Sequence, residues 1–258
     1  MKINNLTPLY FDIETTGFSA WEDKFICAAS MTDDVVSVET DLDKVVSYKP
    51  MIDGFHGLIV TWNGENYRGG FDFPWLRSKC IQKDIDWQLD GVKHLDLLPL
   101  VRKYINTTHY VTETPSKSQF KAADLRELAE VNGIDYQNMK QAYNAICELD
   151  NPDWLDYDNP EAKEDNSLQE VYQMLFDPEC EEIYTDGGEI PKLYNAIEDN
   201  ENKKAIVGEH EEIERANSVM WDRIKSHNRR DVKRLKKVAE AVVPLIPDWE
   251  LKRNINKL

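Results

Sequence analysis

Residues 8–18 read P-L-Y-F-D-I-E-T-T-G-F, and the fold turns on how that stretch is taken. Its apolar run predicts a buried strand over residues 8–13 that carries Asp12 and runs into Glu14. Strand side chains alternate between faces, so positions 12 and 14 project from the same side. Two bare carboxylates so placed repel and resist ionising together. A divalent ion relieves that repulsion, because hard cations such as Mg²⁺ take oxygen ligands. Thr15, Thr16 and Gly17 then leave the strand in a turn whose glycine lets backbone come close to a ligand. Asp-x-Glu by itself is a weak signal in an acidic chain, and it recurs at Asp199–Glu201 within a polar run. The apolar setting and the Thr-Thr-Gly turn favour a metal site; the alternative is a strand that ends in an acidic loop.

Working outward, Phe25–Met31 and Val35–Thr40 predict two more strands, separated by the turn Thr32-Asp33-Asp34 in an antiparallel meander. Leu42–Tyr48 reads as a short helix. Gly57–Trp62 is almost continuously apolar, as a strand buried on both faces is. Residues 63–76, N-G-E-N-Y-R-G-G-F-D-F-P-W-L, combine a strand end, a glycine-rich loop and a helix start. Asp72 there is either a helix cap, with Pro74 in the first turn, or a third acid of the site. Val92–Leu98 predicts a strand leading into a helix at Pro99–Ile105, with Asp96 as a helix-start or structural acid. Residues 106–120 read as a polar loop, and Ala122–Val131 as a helix that stops at Asn132-Gly133. Residues 148–167 read as a solvated acidic loop, Leu168–Phe176 as a helix, and Asp186–Ile197 as a turn and short helix. A long helical pattern runs from Ala205 to Val243, with a break near Ser226, and Pro244 and Pro247 end it.

A hydrophobic fraction of 41% with seven tryptophans argues for a folded protein, and 258 residues suffice for a full core. No apolar run is long enough to span a membrane, and the first residues lack the pattern of a secretory signal. Cys27, Cys80, Cys147 and Cys180 are far apart without a C-x-x-C pair; they read as thiols of a reducing compartment, by default the cytoplasm, and not as zinc ligands. A net charge of −17 disfavours non-specific polyanion binding. The charge is uneven, however: Glu148–Glu182 holds thirteen acids and one base, whereas Arg215–Leu258 holds twelve bases and five acids.

The basic segment contains I-K-S-H-N-R-R-D-V-K-R-L-K-K-V-A, residues 224–239. His227 and Asp231 are four apart and share one helical face. Val232, Leu235, Val238 and Ala239 supply the buried face. Alone, the pair is an ordinary i,i+4 contact on an amphipathic helix. The order of the clusters gives it weight: Asp-x-Glu on a first strand, Asp72 after an Asn-Gly loop, then His-x-x-x-Asp on a late helix.

That ordered pattern resembles the DEDD superfamily of 3′-to-5′ exonucleases, on Asp12 and Glu14, Asp72, and His227 with Asp231. The histidine at 227 is similar to the DEDDh type. Residues 62–76 also resemble the exonuclease domains of family B DNA polymerases, which are usually of the tyrosine type. H-L-D-L-L (94–98), G-E-I-P-K-L-Y (188–194) and H-N-R-R-D-V (227–232) look most like the YprB-like exonuclease branch. The resemblance covers most of residues 8–243 and is weakest across 137–185.

The resemblance implies an α/β fold: an RNase H-like mixed five-stranded sheet flanked by helices, as one domain with an acidic insertion at about 137–185. It implies two divalent ions, Mg²⁺ or Mn²⁺, with Asp12 shared between them, Glu14 and Asp231 on the nucleophile side, and Asp72 on the second ion. His227 would take the proton of the attacking water, a role suited to a side chain that changes charge near neutral pH. Thr15, Thr16 and Gly17 would cradle the terminal nucleotide, Phe18 would wedge its base, and Asn63 would bond the substrate or brace its loop. Lys225, Arg229, Arg230, Lys233 and Arg234 would add positive potential. The implied partner is nucleic acid with a free 3′ end, single-stranded DNA first, and the products are nucleoside 5′-monophosphates. An exoribonuclease of the same chemistry is the nearest alternative. More distant ones are a catalytically silent binding module and a metal-independent scaffold whose acidic insertion mimics nucleic acid.

Overall fold

The computed structural model describes residues 2–47, 57–65, 70–105, 108–111, 121–149, 161–164, 167–176, 187–207 and 210–258. In chain order, β1 (Thr7–Thr15) pairs antiparallel with β2 (Phe25–Thr32), which pairs with β3 (Val35–Glu39). After α1 (Leu42–Val46), β4 (Gly57–Thr61) lies parallel to β1 on its other side. Next come α2 (Asp72–Lys83), β5 (Lys93–Asp96), parallel to β4, and α3 (Leu98–Tyr104). There follow β6 (Thr108–Val111), α4 (Ala122–Val131), α5 (Met139–Cys147) and β7 (Glu161–Glu164). The chain continues through α6 (Leu168–Phe176), α7 (Ile190–Val207), α8 (His210–Val242), α9 (Asp248–Asn254) and β8 (Ile255–Lys257).

Two compact units result. One comprises Met1–Asn106 with Asn166–Leu258, the other Thr107–Asp165. The first is α/β, a mixed sheet of six strands in the order β3-β2-β1-β4-β5-β8. That is one strand more than the five expected from the sequence. β8 pairs antiparallel with β5 through Leu95↔Ile255 and His94↔Asn256, and Leu258 N–H continues the ladder to Val92 O at 2.9 Å. Three residues, Ile255-Asn256-Lys257, are too few to show an alternating pattern, so the strand has no signature of its own.

Apolar layers cover both faces of this sheet. Leu9, Phe11, Ile13 and Ile59 pack on Phe73, Trp75, Leu76 and Cys80 of α2. Tyr10, Leu58, Val60 and Leu95 pack with Val232, Leu235, Val238 and Ala239 of α8. Neighbouring residues of β1 therefore serve opposite layers, as the period of two requires. Asp12 and Glu14 fall in step with Tyr10, on the α8 side. β4 is buried at all five positions, as its unbroken apolar run predicts.

α8 runs through Ser226 without the break expected there, because that residue is exposed and disturbs no packing. Residues 208–209, within the expected helical stretch, lie outside the described residues. The smaller unit contains the β6–β7 ladder and the pair α4 and α5, packed around Leu125, Leu128 and Ile146. Thr108–Val111 is thus a strand within the stretch read as a loop. This unit shares residues 137–165 with the expected insertion, whereas α6, also in that range, packs Val171 into the α8 layer of the first unit. Most of the acidic run, 150–160 and 177–186, lies outside the described residues.

Candidate active site

β1 carries Asp12 and Glu14 beneath α8, opposite Ala29 and Cys27 of β2, and the ladder shifts register immediately after Glu14. That irregularity ends the strand where the Thr15–Phe18 turn begins. From α8, His227, Asn228 and Asp231 descend onto the same patch. His227 Nε2 lies 3.4 Å from Glu14 Oε1 and 3.1 Å from Asp231 Oδ2. Arg234 Nη1 donates to Asp231 Oδ1 at 3.0 Å. Asn228 Nδ2 donates to Asp12 Oδ2 at 2.6 Å.

Asp72 enters from the opposite side as the first residue of α2. The capping position belongs to Phe71, with no side-chain cap, so Asp72 is not the helix cap that was one of its two readings. It is 4% exposed, and its Oδ2 has no hydrogen-bond partner among the described residues. A buried carboxylate oxygen without a donor is costly unless a cation or proton completes it.

The four acids feel one another. Burial first, then the charge of Asp231, holds the Asp12 carboxyl well above its ordinary range, against the pull of the Asn228 hydrogen bond. Glu14 is raised by burial and then by Asp12, Asp231 and Asp72. Asp72 is raised by burial and then by Asp12 and Asp96. Glu14, His227 and Asp231 can also bring one ligand atom each to within 4.8 Å of one another. Oxygen donors in excess, mutual repulsion and an uncompensated buried oxygen fit hard divalent cations.

A carboxyl raised in the fold favours the protonated state. Its stabilisation is complete below the unfolded carboxylate range, about pH 4, and is lost as pH climbs through the raised values. In EDTA the melting temperature should therefore fall between pH 5 and pH 8, less steeply in Asp12→Asn. Mn²⁺ should stabilise more at pH 8 than at pH 5. A melting temperature in EDTA that climbs with pH would contradict these shifts.

The turn after β1 is built around Asp23. Its carboxylate accepts from Ser19 N–H at 2.8 Å and Thr16 Oγ1 at 3.3 Å, and a Cβ on Gly17 would lie 2.5 Å from it. Thr15 Oγ1 donates to Gly17 O at 2.7 Å, and Thr16 Oγ1 accepts from Lys24 N–H at 2.8 Å. Both hydroxyls thus shape the turn. Behind it, buried Lys79 of α2 donates to the carbonyls of Ala20 and Asp23 at 2.8 and 2.6 Å. Phe18 is 91% exposed and meets Phe71 edge-on, ring centres 5.7 Å apart. With Trp21 and Pro74 they line an open cleft of about 270 Å³. Phe73 and Trp75 belong to the core.

Asn63 takes a left-handed backbone, φ 63°, donates its N–H to Asp96 Oδ1 at 2.9 Å and accepts from Phe71 N–H at 2.6 Å. Its main chain braces the loop that delivers Asp72. Asp96 also accepts from Leu98 N–H at 3.1 Å, the helix-start role read from the sequence. Of the bases on α8, Arg234 is buried against Asp231, Lys225 lies over the Trp221 ring, and Arg229 and Lys233 are exposed.

Asp12, Glu14, Asp72, His227 and Asp231 are thus drawn to one place. Asn228, Asp23 and Lys79 were missed. Asn228 had a signal, since it interrupts the apolar stripe Ile224–Val232–Leu235; Lys79 had none, because a lysine on a short helix reads as solvated. Comparison with protein-family models and with curated proteins gives no match.

Proposed function

We propose that this protein is a metal-dependent 3′-to-5′ exonuclease of the DEDDh kind, with an RNase H-like sheet, acting on single-stranded DNA in the cytoplasm. The observation that carries the reading is the convergence of four acids and one histidine from β1, α2 and α8, with Asp72 Oδ2 buried and unpartnered among the described residues. None of the described helices is long and apolar enough to cross a membrane.

Asp12, Glu14, Asp72 and Asp231 would hold two Mg²⁺ or Mn²⁺ ions, which supply Lewis-acid polarisation of the scissile phosphate and charge neutralisation. His227 would take a proton from the attacking water at Nε2, the atom that faces Glu14 and Asp231. The water oxygen bonds to phosphorus, the bond from phosphorus to the 3′ oxygen of the preceding nucleotide breaks, and that oxygen regains a proton. A nucleoside 5′-monophosphate leaves. Arg234 fixes Asp231. Backbone of Thr15–Gly17 would receive the terminal sugar, while Phe18 and Phe71 offer apolar ring faces to its base. The overall negative charge opposes substrate approach, and Arg229 and Lys233 offset it locally.

Incubation with 3′- and 5′-labelled DNA and RNA, in Mn²⁺ or EDTA, tests this directly. The expected products are mononucleotides from the 3′ end, in Mn²⁺ only, faster on DNA. Internal cuts in circular single strands, or equal rates on free and 3′-phosphorylated ends, would count against it.

A further inference from the structure

Asn228 is fully buried on α8 between Ile224 and Val232, one turn to either side. An amide in such a place is costly unless both its ends are paired. Both are. Nδ2 donates to Asp12 Oδ2 at 2.6 Å. At the other end, Cys27 Sγ donates to Oδ1 at 3.6 Å. Cys27 is itself fully buried, and it stands opposite Glu14 in the β1–β2 ladder.

We infer that Asn228, with its amide oriented by Cys27, is a positioning residue that holds the Asp12 carboxylate ready for a divalent ion. The Asp12 and Glu14 carboxylates repel, and the Asn228 donor fixes where the Asp12 oxygen sits against that repulsion. Amide orientation matters, since a flipped group would turn a carbonyl oxygen toward the Asp12 carboxylate. The Cys27 S–H at Oδ1 selects the productive orientation. Neutrality matters too: a lysine or arginine here would grip the acid more strongly, but its charge would compete with the ion. An asparagine orders the ligand and leaves its charge intact. Partners of this kind tune a metal through its ligands and not by touching it.

The inference rests on the metal-centre reading above. Its test is Mn²⁺ binding to the full chain by calorimetry, alongside melting temperature in EDTA. Asn228→Leu, which keeps size and removes the donor, should weaken Mn²⁺ binding by about 10–100-fold. Cys27→Ala should weaken it by a smaller factor, and Cys27→Ser, which retains a donor, should weaken it less than Cys27→Ala. Ile224→Ala, one turn earlier in the same helix and fully buried, should lower the melting temperature without changing Mn²⁺ affinity. Unchanged affinity in Asn228→Leu, or losses that simply track melting temperature across all variants, would overturn the inference. If Asn228→Leu does not fold, the two Cys27 variants decide: equal affinities rule out the orienting role. No Mn²⁺ binding by the unaltered protein would instead sink the metal centre itself.

Discussion

Asp12→Asn should abolish hydrolysis in Mg²⁺ and in Mn²⁺ alike while the fold survives. Asp12 sits at the centre of the acid cluster: its charge raises both Glu14 and Asp72, and Asp231 raises it in turn. Its charge is the leading one on both Glu14 and Asp72, as expected of a ligand shared between two ions. The change to asparagine keeps shape and volume and leaves an oxygen that Asn228 Nδ2 can still reach. The main loss is therefore charge. The same substitution should make the metal-free protein more stable at pH 8, because one of several mutually repelling buried acids is gone. Each kcal/mol relieved would raise the melting temperature by about 2–4 °C in a chain of this size. Activity and metal-free stability should thus move in opposite directions, which a misfolded variant cannot imitate. Full activity in Asp12→Asn would remove the shared-ligand assignment; lost activity with a lower melting temperature would point to a structural acid.

The fold and the site were legible to different depths, for physical reasons. β1 announced itself because an apolar run broken by acids two apart has one economical explanation, a strand with one functional face. β4 and α8 were legible for the same reason: burial on two faces or on one leaves a period in the sequence. β8 left none, since its three residues are held by the β5 ladder and by Leu258, not by a pattern of their own. The unit at 107–165 was obscured by its polarity, with a described core of Leu125, Leu128 and Ile146 and the small side chains of Ala129 and Ala142. In the site, charged ligands stand out against apolar neighbours. Asn228 gives only a faint signal, because a neutral amide that interrupts an apolar stripe resembles a lapse in it. Its meaning depends on Cys27 and Asp12, residues 201 and 216 positions away, which only the folded chain brings to it.

His227→Ala should lower turnover by roughly 10²–10⁴-fold, the usual span for loss of a general base. The imidazole is 5% exposed, and its Nδ1 has no partner among the described residues, so truncation forfeits few hydrogen bonds. Asp231 keeps its contact with Arg234, and Asp12 keeps Asn228. Mn²⁺ affinity should accordingly change little. A marked loss of affinity would recast His227 as a ligand, since its Nε2 lies within reach of Glu14 and Asp231. Two kinds of rescue follow from the geometry. A cleft of about 450 Å³, lined by Ser167, Gln169, Gly187 and Asp231, opens beside the ring and leaves room for free imidazole to take its place. Added imidazole should restore part of the rate in His227→Ala and none in Asp12→Asn. Raising the pH should also favour the histidine variant, because hydroxide from solution needs no protein acceptor for its proton. An ordinary surface-type pair between His227 and Asp231 predicts none of this: a small drop in melting temperature, unchanged turnover, and no response to imidazole. If that is the result, the four acids still describe a metal centre, but the proton acceptor must be sought elsewhere in the same pocket.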